Sequence, residues 1–148
     1  MKMDIHCNVD LEWNGSRNVG SILKPAGNLP YSAPGLTGSG SDGPSPEALL
    51  ITAVSSCYSI TLSNILRAAG LPQTQVLVHA DGVIVSNFER TEFSKVTVIP
   101  TIRGADVRRR AAYEKAAITA RDDCPVGRSI RGNVPFLVGE VVLLHAAE

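Results

Sequence analysis

Residues 45–72 read SPEALLITAVSSCYSITLSNILRAAGLP, and this stretch decides the fold because it predicts one long helix. Ser45 is suited to cap the helix, Pro46 fits the first helical position, and Glu47 lies where the helix dipole favours an anion. Gly70 then ends the pattern. The sequence therefore predicts a helix of more than twenty residues with a cysteine in its interior.

The composition of this helix predicts its surroundings. No charged residue occurs between Glu47 and Arg67, so we expect the helix to be surrounded by protein as the central element of the core. Helical spacing places one apolar stripe on it, and the predicted members of that stripe are Leu50, Val54, Cys57 and Ile60. Burial alone would leave the Cys57 thiol inert.

Upstream of the helix the pattern is that of strands. Residues 5–13 alternate apolar and polar side chains, which predicts a half-buried strand with Cys7 pointing into the core. The pair Asn14-Gly15 predicts a hairpin turn, and residues 19–23 supply the returning strand. Arg17 then lies just past the turn. The Gly/Pro/Ser-rich stretch that follows predicts a long loop or a short strand with extended flanks.

Downstream, residues 75–86 and 93–103 predict two antiparallel strands. A helix is expected from Asp106 to about Arg121, and residues 134–145 predict one final strand. Between this helix and the final strand, Asp122 or Asp123 is expected to cap a short helix that begins near Cys124-Pro125 and ends at Gly132-Asn133. This order favours an α+β fold with mainly antiparallel sheets around the long central helix.

Composition narrows the function classes. The chain has 148 residues, 44% of them hydrophobic, and this predicts one domain over residues 1–148. Its formal net charge is zero, so neither nucleic acid nor an anionic membrane is an expected partner. We find no signal-peptide pattern and no segment that we expect to span a bilayer, which predicts a cytoplasmic protein. In that compartment three cysteines favour catalysis, redox sensing or metal binding.

Two of the cysteines lie in segments that predict helix. A reactive thiolate needs a nearby cation or a helix N-terminus to lower its pKa, and on position alone Cys124 has the helix N-terminus. Cys57 needs a cation from elsewhere, and Arg17 is the only arginine that precedes Arg67. Arg17 is equally well explained as a solvated turn residue. Glu47 is explained by the helix dipole, with orientation of an arginine as the alternative.

These motifs resemble those of a known family. Ser45-Pro46-Glu47-Ala48-Leu49-Leu50, Ser56-Cys57-Tyr58 and Cys124-Pro125-Val126 with Arg128 are similar to the two cysteine motifs of the OsmC/Ohr family, the osmotically inducible and organic-hydroperoxide-resistance proteins. The resemblance covers nearly the whole chain. Residues 13–20 and 129–134 are most similar to a less studied OsmC-like branch.

The resemblance implies an OsmC-like fold, an intertwined homodimer and a thiol-dependent peroxidase that uses no bound cofactor. It makes Cys57 the residue that attacks an organic hydroperoxide and Cys124 the residue that closes a disulfide with it. It makes Arg17 the cation that stabilises the thiolate and Glu47 the residue that holds Arg17. A dithiol reductant, lipoyl-type or thioredoxin-like, then restores both thiols.

Two readings of a different class stay open. One of His6, His79 and His145 would join Cys57 and Cys124 as a zinc ligand, which makes the protein a metal-binding module. Alternatively, the cysteines belong to a non-catalytic redox sensor or a small-molecule binder on the same scaffold.

Overall fold

The computed structural model describes residues 3–14, 19–24, 27–33 and 43–145. Contacts divide the chain into two compact units, residues 1–50 and residues 51–148. The organisation of residues 1–148 as one domain stays a prediction. The secondary structure is a mixture of helices and largely antiparallel strands, which confirms the α+β class.

The first unit contains a three-stranded antiparallel sheet. Its strands are β1 (Asp10–Asn14), β2 (Val19–Lys24) and β3 (Leu29–Ser32), in the order β1-β2-β3. Strand β1 pairs with β2 from Asp10 opposite Lys24 to Asn14 opposite Val19, so the predicted hairpin is confirmed. The tip of the hairpin, with Arg17, lies outside the described residues.

The predicted strand over residues 5–13 was too long. Residues 3–9 form no strand, and Cys7 is exposed rather than pointing into the core. The physical reason is the length of the partner: β2 ends at Lys24, opposite Asp10, so no strand among the described residues pairs with the segment before Asp10. Alternation of side chains without a partner strand does not make a sheet.

Helix α1 (Pro46–Ala68) begins and ends where the sequence predicts. The backbone N–H of Ala48 donates to the Ser45 side-chain oxygen at 3.2 Å, so Ser45 is the cap. Gly70 has a φ of 64°, and the N–H of Leu71 donates to the carbonyl of Leu66 at 2.9 Å. Only a residue that tolerates the left-handed region closes the helix in this way, which explains the glycine.

The buried stripe of α1 is rotated from the predicted one. Four residues spaced by one turn are fully buried: Val54, Tyr58, Leu62 and Leu66. Of the predicted stripe, Ile60 is 63% exposed and Cys57 is half-buried. Tyr58 brings the largest buried side chain of the helix into the core, so it sets the rotation and turns its neighbour Cys57 about 100° away. Within a single chain, the expectation that protein surrounds α1 on all sides was wrong.

By length and composition α1 also satisfies the criteria for a membrane span, with a mean hydropathy of 1.5. The expectation that no segment does so was wrong. Core helices of globular proteins satisfy the same criteria. Four residues of α1 are fully buried in the hydrophobic core, and 22% of the apolar window is buried within the chain.

The second unit has a four-stranded sheet and two further helices. Strands β4 (Gln75–Ser86) and β5 (Thr91–Arg103) form the predicted antiparallel hairpin. After a 3-10 turn (Val107–Arg109) come α2 (Arg110–Asp123) and α3 (Pro125–Ile130). The chain closes with β6 (Phe136–Val138) and β7 (Val142–Leu144), both parallel to β5.

The single final strand predicted over residues 134–145 is therefore two short strands. The register explains the break: Val96 pairs with Phe136 and Thr101 with Val142, so the last segment contains one residue more than β5 over the same distance. The extra residue has no partner in the ladder and interrupts the strand. Together α1, β5, α2 and the closing strands supply the buried core of this unit.

Candidate thiol site

The second unit brings Cys57 and Cys124 together. Cys57 lies near the middle of α1 and is half-buried, whereas Cys124 lies between α2 and α3 and is fully buried. The side chain of Cys57 lies close enough to Cys124 to help raise the pKa of the Cys124 thiol. They stand 67 positions apart in the sequence, so only the packing of α1 against α2 and α3 makes this pair.

Tyr58, the neighbour of Cys57, fixes that packing. Its ring is fully buried, and its hydroxyl donates to the carbonyl of Ala117 in α2 at 3.0 Å. The ring also meets the edge of Phe136, with ring centroids 6.3 Å apart. Burial holds the pKa of Tyr58 well above its usual value, with Arg121 partly opposing this, so the hydroxyl keeps its proton and remains a donor.

Cys124 itself caps α3. Its backbone is extended, and its sulfur accepts from the N–H of Gly127 at 3.4 Å. The prediction that Asp122 or Asp123 would cap this helix was wrong, because α2 continues through Asp123 and leaves Cys124 as the residue between the helices. A cysteine at this position is half inside each helix and cannot rotate independently of them.

The helix N-terminus at Cys124, which favours a lowered pKa on position alone, does not lower the pKa of this thiol. Burial, and after it the side chain of Cys57, raise its pKa from about 9 to about 11. Amide donors of Gly127 and Val126 oppose this rise without cancelling it. The reason is size: α3 has only six residues, so its N-terminus compensates little of the loss of solvent. Cys124 is a neutral thiol at neutral pH.

Gly127 is a site residue that the sequence analysis missed. A Cβ placed on it would lie 2.5 Å from the Phe136 ring and 3.4 Å from the Cys124 sulfur. The glycine therefore allows the Phe136 ring to pack beside both the cap and Tyr58. The available signal was a glycine inside a short predicted helix, which usually marks close packing.

Glu47 carries an unusual feature in the first turn of α1. Its Oε2 atom is buried and has no hydrogen-bond partner among the described residues. A buried carboxylate oxygen is costly unless a donor or a cation meets it. Arg17, the predicted partner of Glu47, lies outside the described residues, so the pairing of Arg17 with Glu47 stays a prediction.

The described residues contain no set of side chains that would bind a zinc ion. Over residues 3–14, 19–24, 27–33 and 43–145, no three His, Cys, Asp or Glu side chains lie close enough to hold a metal ion. His6, His79 and His145 all fall in these ranges, and none of them joins the two cysteines in such a group.

Comparison with known proteins identifies relatives of similar sequence and of similar fold. The family model for OsmC-like proteins matches residues 38–138. An uncharacterized Bacillus subtilis protein, YmaD, is 28% identical over 137 residues, with 88% of this chain and 90% of that protein covered. An OsmC-like protein from Mycoplasma pneumoniae superimposes with a TM-score of 0.82 at 15% identity, over 97% of this chain and 100% of that one. The organic hydroperoxide resistance protein OsmC from Legionella pneumophila superimposes with a TM-score of 0.72 at 19% identity, over 94% of this chain and 99% of that one.

Gly127→Ala tests the packing of the cap. In an ordinary helix this change stabilises by about 0.5–1 kcal/mol, but here the added methyl meets the Phe136 ring, so we expect a loss of about 1–3 kcal/mol. Chemical denaturation of Gly127→Ala, Phe136→Leu and the double variant measures it. The double variant should lose less than the sum of the two single variants. Stabilisation by Gly127→Ala, or simple additivity, contradicts the packing.

The raised pKa of Cys124 predicts how stability changes with pH. Between about pH 9 and 11 the unfolded thiol ionises while the folded thiol keeps its proton, so the unfolded state binds fewer protons and stability falls as pH rises. Under reducing conditions the slope from this one group is about 1.4 kcal/mol per pH unit. Urea unfolding of the native chain and Cys124→Ser across this range isolates it. Equal slopes for the two proteins contradict the raised pKa.

Proposed function

Because the chain belongs to the OsmC/Ohr family, we propose that it is a thiol-dependent peroxidase that reduces organic hydroperoxides. One observation carries the proposal: Cys57 lies close enough to Cys124 to affect its pKa, and Cys57 is partly accessible whereas Cys124 is buried. The names of solved relatives from Legionella pneumophila and Bacillus subtilis refer to organic hydroperoxide resistance, which supports this class of substrate.

The proposed reaction has two steps on the enzyme. The Cys57 thiolate attacks one oxygen of the O–O bond of the hydroperoxide, the alcohol leaves with a proton, and Cys57 becomes a sulfenic acid. The sulfur of Cys124 then attacks the sulfenic sulfur, so that an S–S bond forms, the S–O bond breaks and water leaves with the Cys124 proton.

The environments of the two cysteines suit these roles. Cys57 is half-buried, so a substrate reaches it, while the buried Cys124 is neutral and stays out of the first step. The Cys57 side chain packs against the hydrophobic core, and an apolar surround favours a hydroperoxide with an organic substituent.

We assign activation of Cys57 to Arg17 and Glu47, as the resemblance implies. The guanidinium of Arg17 would stabilise the thiolate, and Glu47 would orient it through a charged pair. The buried oxygen of Glu47 supports this assignment, since it has no partner among the described residues and needs one.

The cycle closes with partners outside the chain. We propose that a dithiol reductant, lipoyl-type or thioredoxin-like, reduces the disulfide, and that the working form is a homodimer. The outward side of α1 supports the second copy, because this side carries no charge between Glu47 and Arg67 and exposes Ile60 at 63%. An uncharged helical face of this length normally packs against protein.

Serine variants test the assignment of the two cysteines. With cumene hydroperoxide and dimedone as the sulfenic-acid trap, Cys124→Ser should accumulate trapped Cys57 and lose turnover, whereas Cys57→Ser should not react. Cys7→Ser is the matched control, because Cys7 is exposed and should leave both steps unchanged. Mass spectrometry locates the trap. The reverse pattern would exchange the roles, and oxidation without steady-state turnover would favour the redox sensor.

Arg17→Met and Glu47→Gln test the activation. Loss of a charged hydrogen bond to the thiolate should lower the second-order rate with hydroperoxide roughly tenfold or more for Arg17→Met, and less for Glu47→Gln. Alkylation of Cys57 at neutral pH should be slower in both. Arg108→Met is the control, since Arg108 is exposed and paired with Asp106. Unchanged rates in both variants would remove Arg17 and Glu47 from the mechanism.

A further inference from the structure

The joint between α2 and α3, residues 120–128, holds Cys124, and we call it the Cys124 elbow. Within this elbow, two arginines lie near one carboxylate oxygen of Asp122. The Arg121 Nε and Nη2 atoms lie 3.0 Å from Asp122 Oδ1, and Arg131 Nη2 lies 3.6 Å from the same oxygen. Arg131 Nη2 also donates to the backbone carbonyl of Asp122 at 3.3 Å.

Arg131 therefore ties two helix ends together across the cysteine. It follows α3 directly, and its own N–H donates to the carbonyl of Gly127 at 3.0 Å, so its backbone is anchored in α3. Its side chain returns to the last turn of α2, where the Asp122 carbonyl is one of the four that lack a partner inside the helix. Arg121 lies on the same helix as Asp122 and makes no such bridge.

Disulfide closure makes a geometric demand on this elbow. Both cysteines are free thiols in the structure, and a disulfide needs an S–S distance of about 2.05 Å, so the two sulfurs must move together for closure. Cys57 is fixed on α1 beside the buried Tyr58, whose hydroxyl is bonded to Ala117. Cys124 joins α2 to α3, so the angle between these two helices sets the position from which its side chain reaches Cys57.

We propose that Arg131 is a positioning residue for disulfide closure: its bridge to Asp122 sets the angle of the Cys124 elbow and presents the Cys124 sulfur to oxidised Cys57. The role rests on the proposed function, in which the S–S bond forms as the S–O bond of the sulfenic acid breaks and water leaves. Arg131 touches neither sulfur and no substrate. It affects the second step and leaves the first unchanged.

Rapid-quench single-turnover measurements separate the two steps. Arg131→Met should oxidise Cys57 with cumene hydroperoxide at the native rate and close the disulfide roughly three- to tenfold more slowly. Arg131→Lys should recover part of the loss, since an ammonium still donates to the Asp122 carbonyl. Arg128→Met is the control, because Arg128 is exposed on the same short helix. Circular dichroism verifies that each variant is folded.

A second arm needs no peroxidase activity. Diamide oxidises neighbouring thiols directly, so closure of the Cys57–Cys124 pair is timed in the same four proteins without hydroperoxide. By both routes, we expect slower closure in Arg131→Met, an intermediate rate in Arg131→Lys and the native rate in Arg128→Met. Equal slowing of both peroxide steps, or native closure in Arg131→Met, would overturn the role. If the native chain ignores hydroperoxide, the proposed function fails, and the diamide arm still decides on Arg131.

Discussion

The hydrogen bond from the buried Tyr58 hydroxyl to the carbonyl of Ala117 is the constraint on which the thiol site depends. This bond fixes the rotation of α1 about its axis and the position of α1 along α2. Cys57 adjoins Tyr58, and Cys124 follows Ala117 by seven residues, two turns further along the same buried side of α2. This bond and the burial of Tyr58 hold together the two segments that carry the sulfurs, of which Cys57 is half-buried and Cys124 is buried.

Burial divides the chemistry between the two cysteines. Cys124 lies at a helix N-terminus and accepts an amide hydrogen bond, yet its loss of solvent outweighs both effects and keeps it protonated. Cys57 packs against the edge of the core and remains partly accessible. A pair with one accessible and one protected thiol suits sequential oxidation, since only one of the two meets the oxidant first. The elbow between α2 and α3 then governs when the second thiol takes part.

The limits of α1 were predictable because Ser45, Pro46 and Gly70 act through local backbone geometry. The rotation of α1 about its axis was not predictable. The predicted stripe of Leu50, Val54, Cys57 and Ile60 is as apolar as the stripe that is buried, and the tertiary hydrogen bond of Tyr58 decides which of the two faces the core. The last strand is split because of its register against β5. Cys7 is exposed because β2 ends opposite Asp10. The cysteine motifs indicated the family, whereas Gly127 and Arg131 act through contacts that no periodicity reveals.

The most direct test is the mass of the reduced, metal-free protein before and after one equivalent of an organic hydroperoxide, with a peptide map of any new bond. The account predicts rapid loss of two hydrogens, located to a disulfide between Cys57 and Cys124, with Cys7 unchanged. An unchanged mass, or a new bond that involves Cys7, would contradict it.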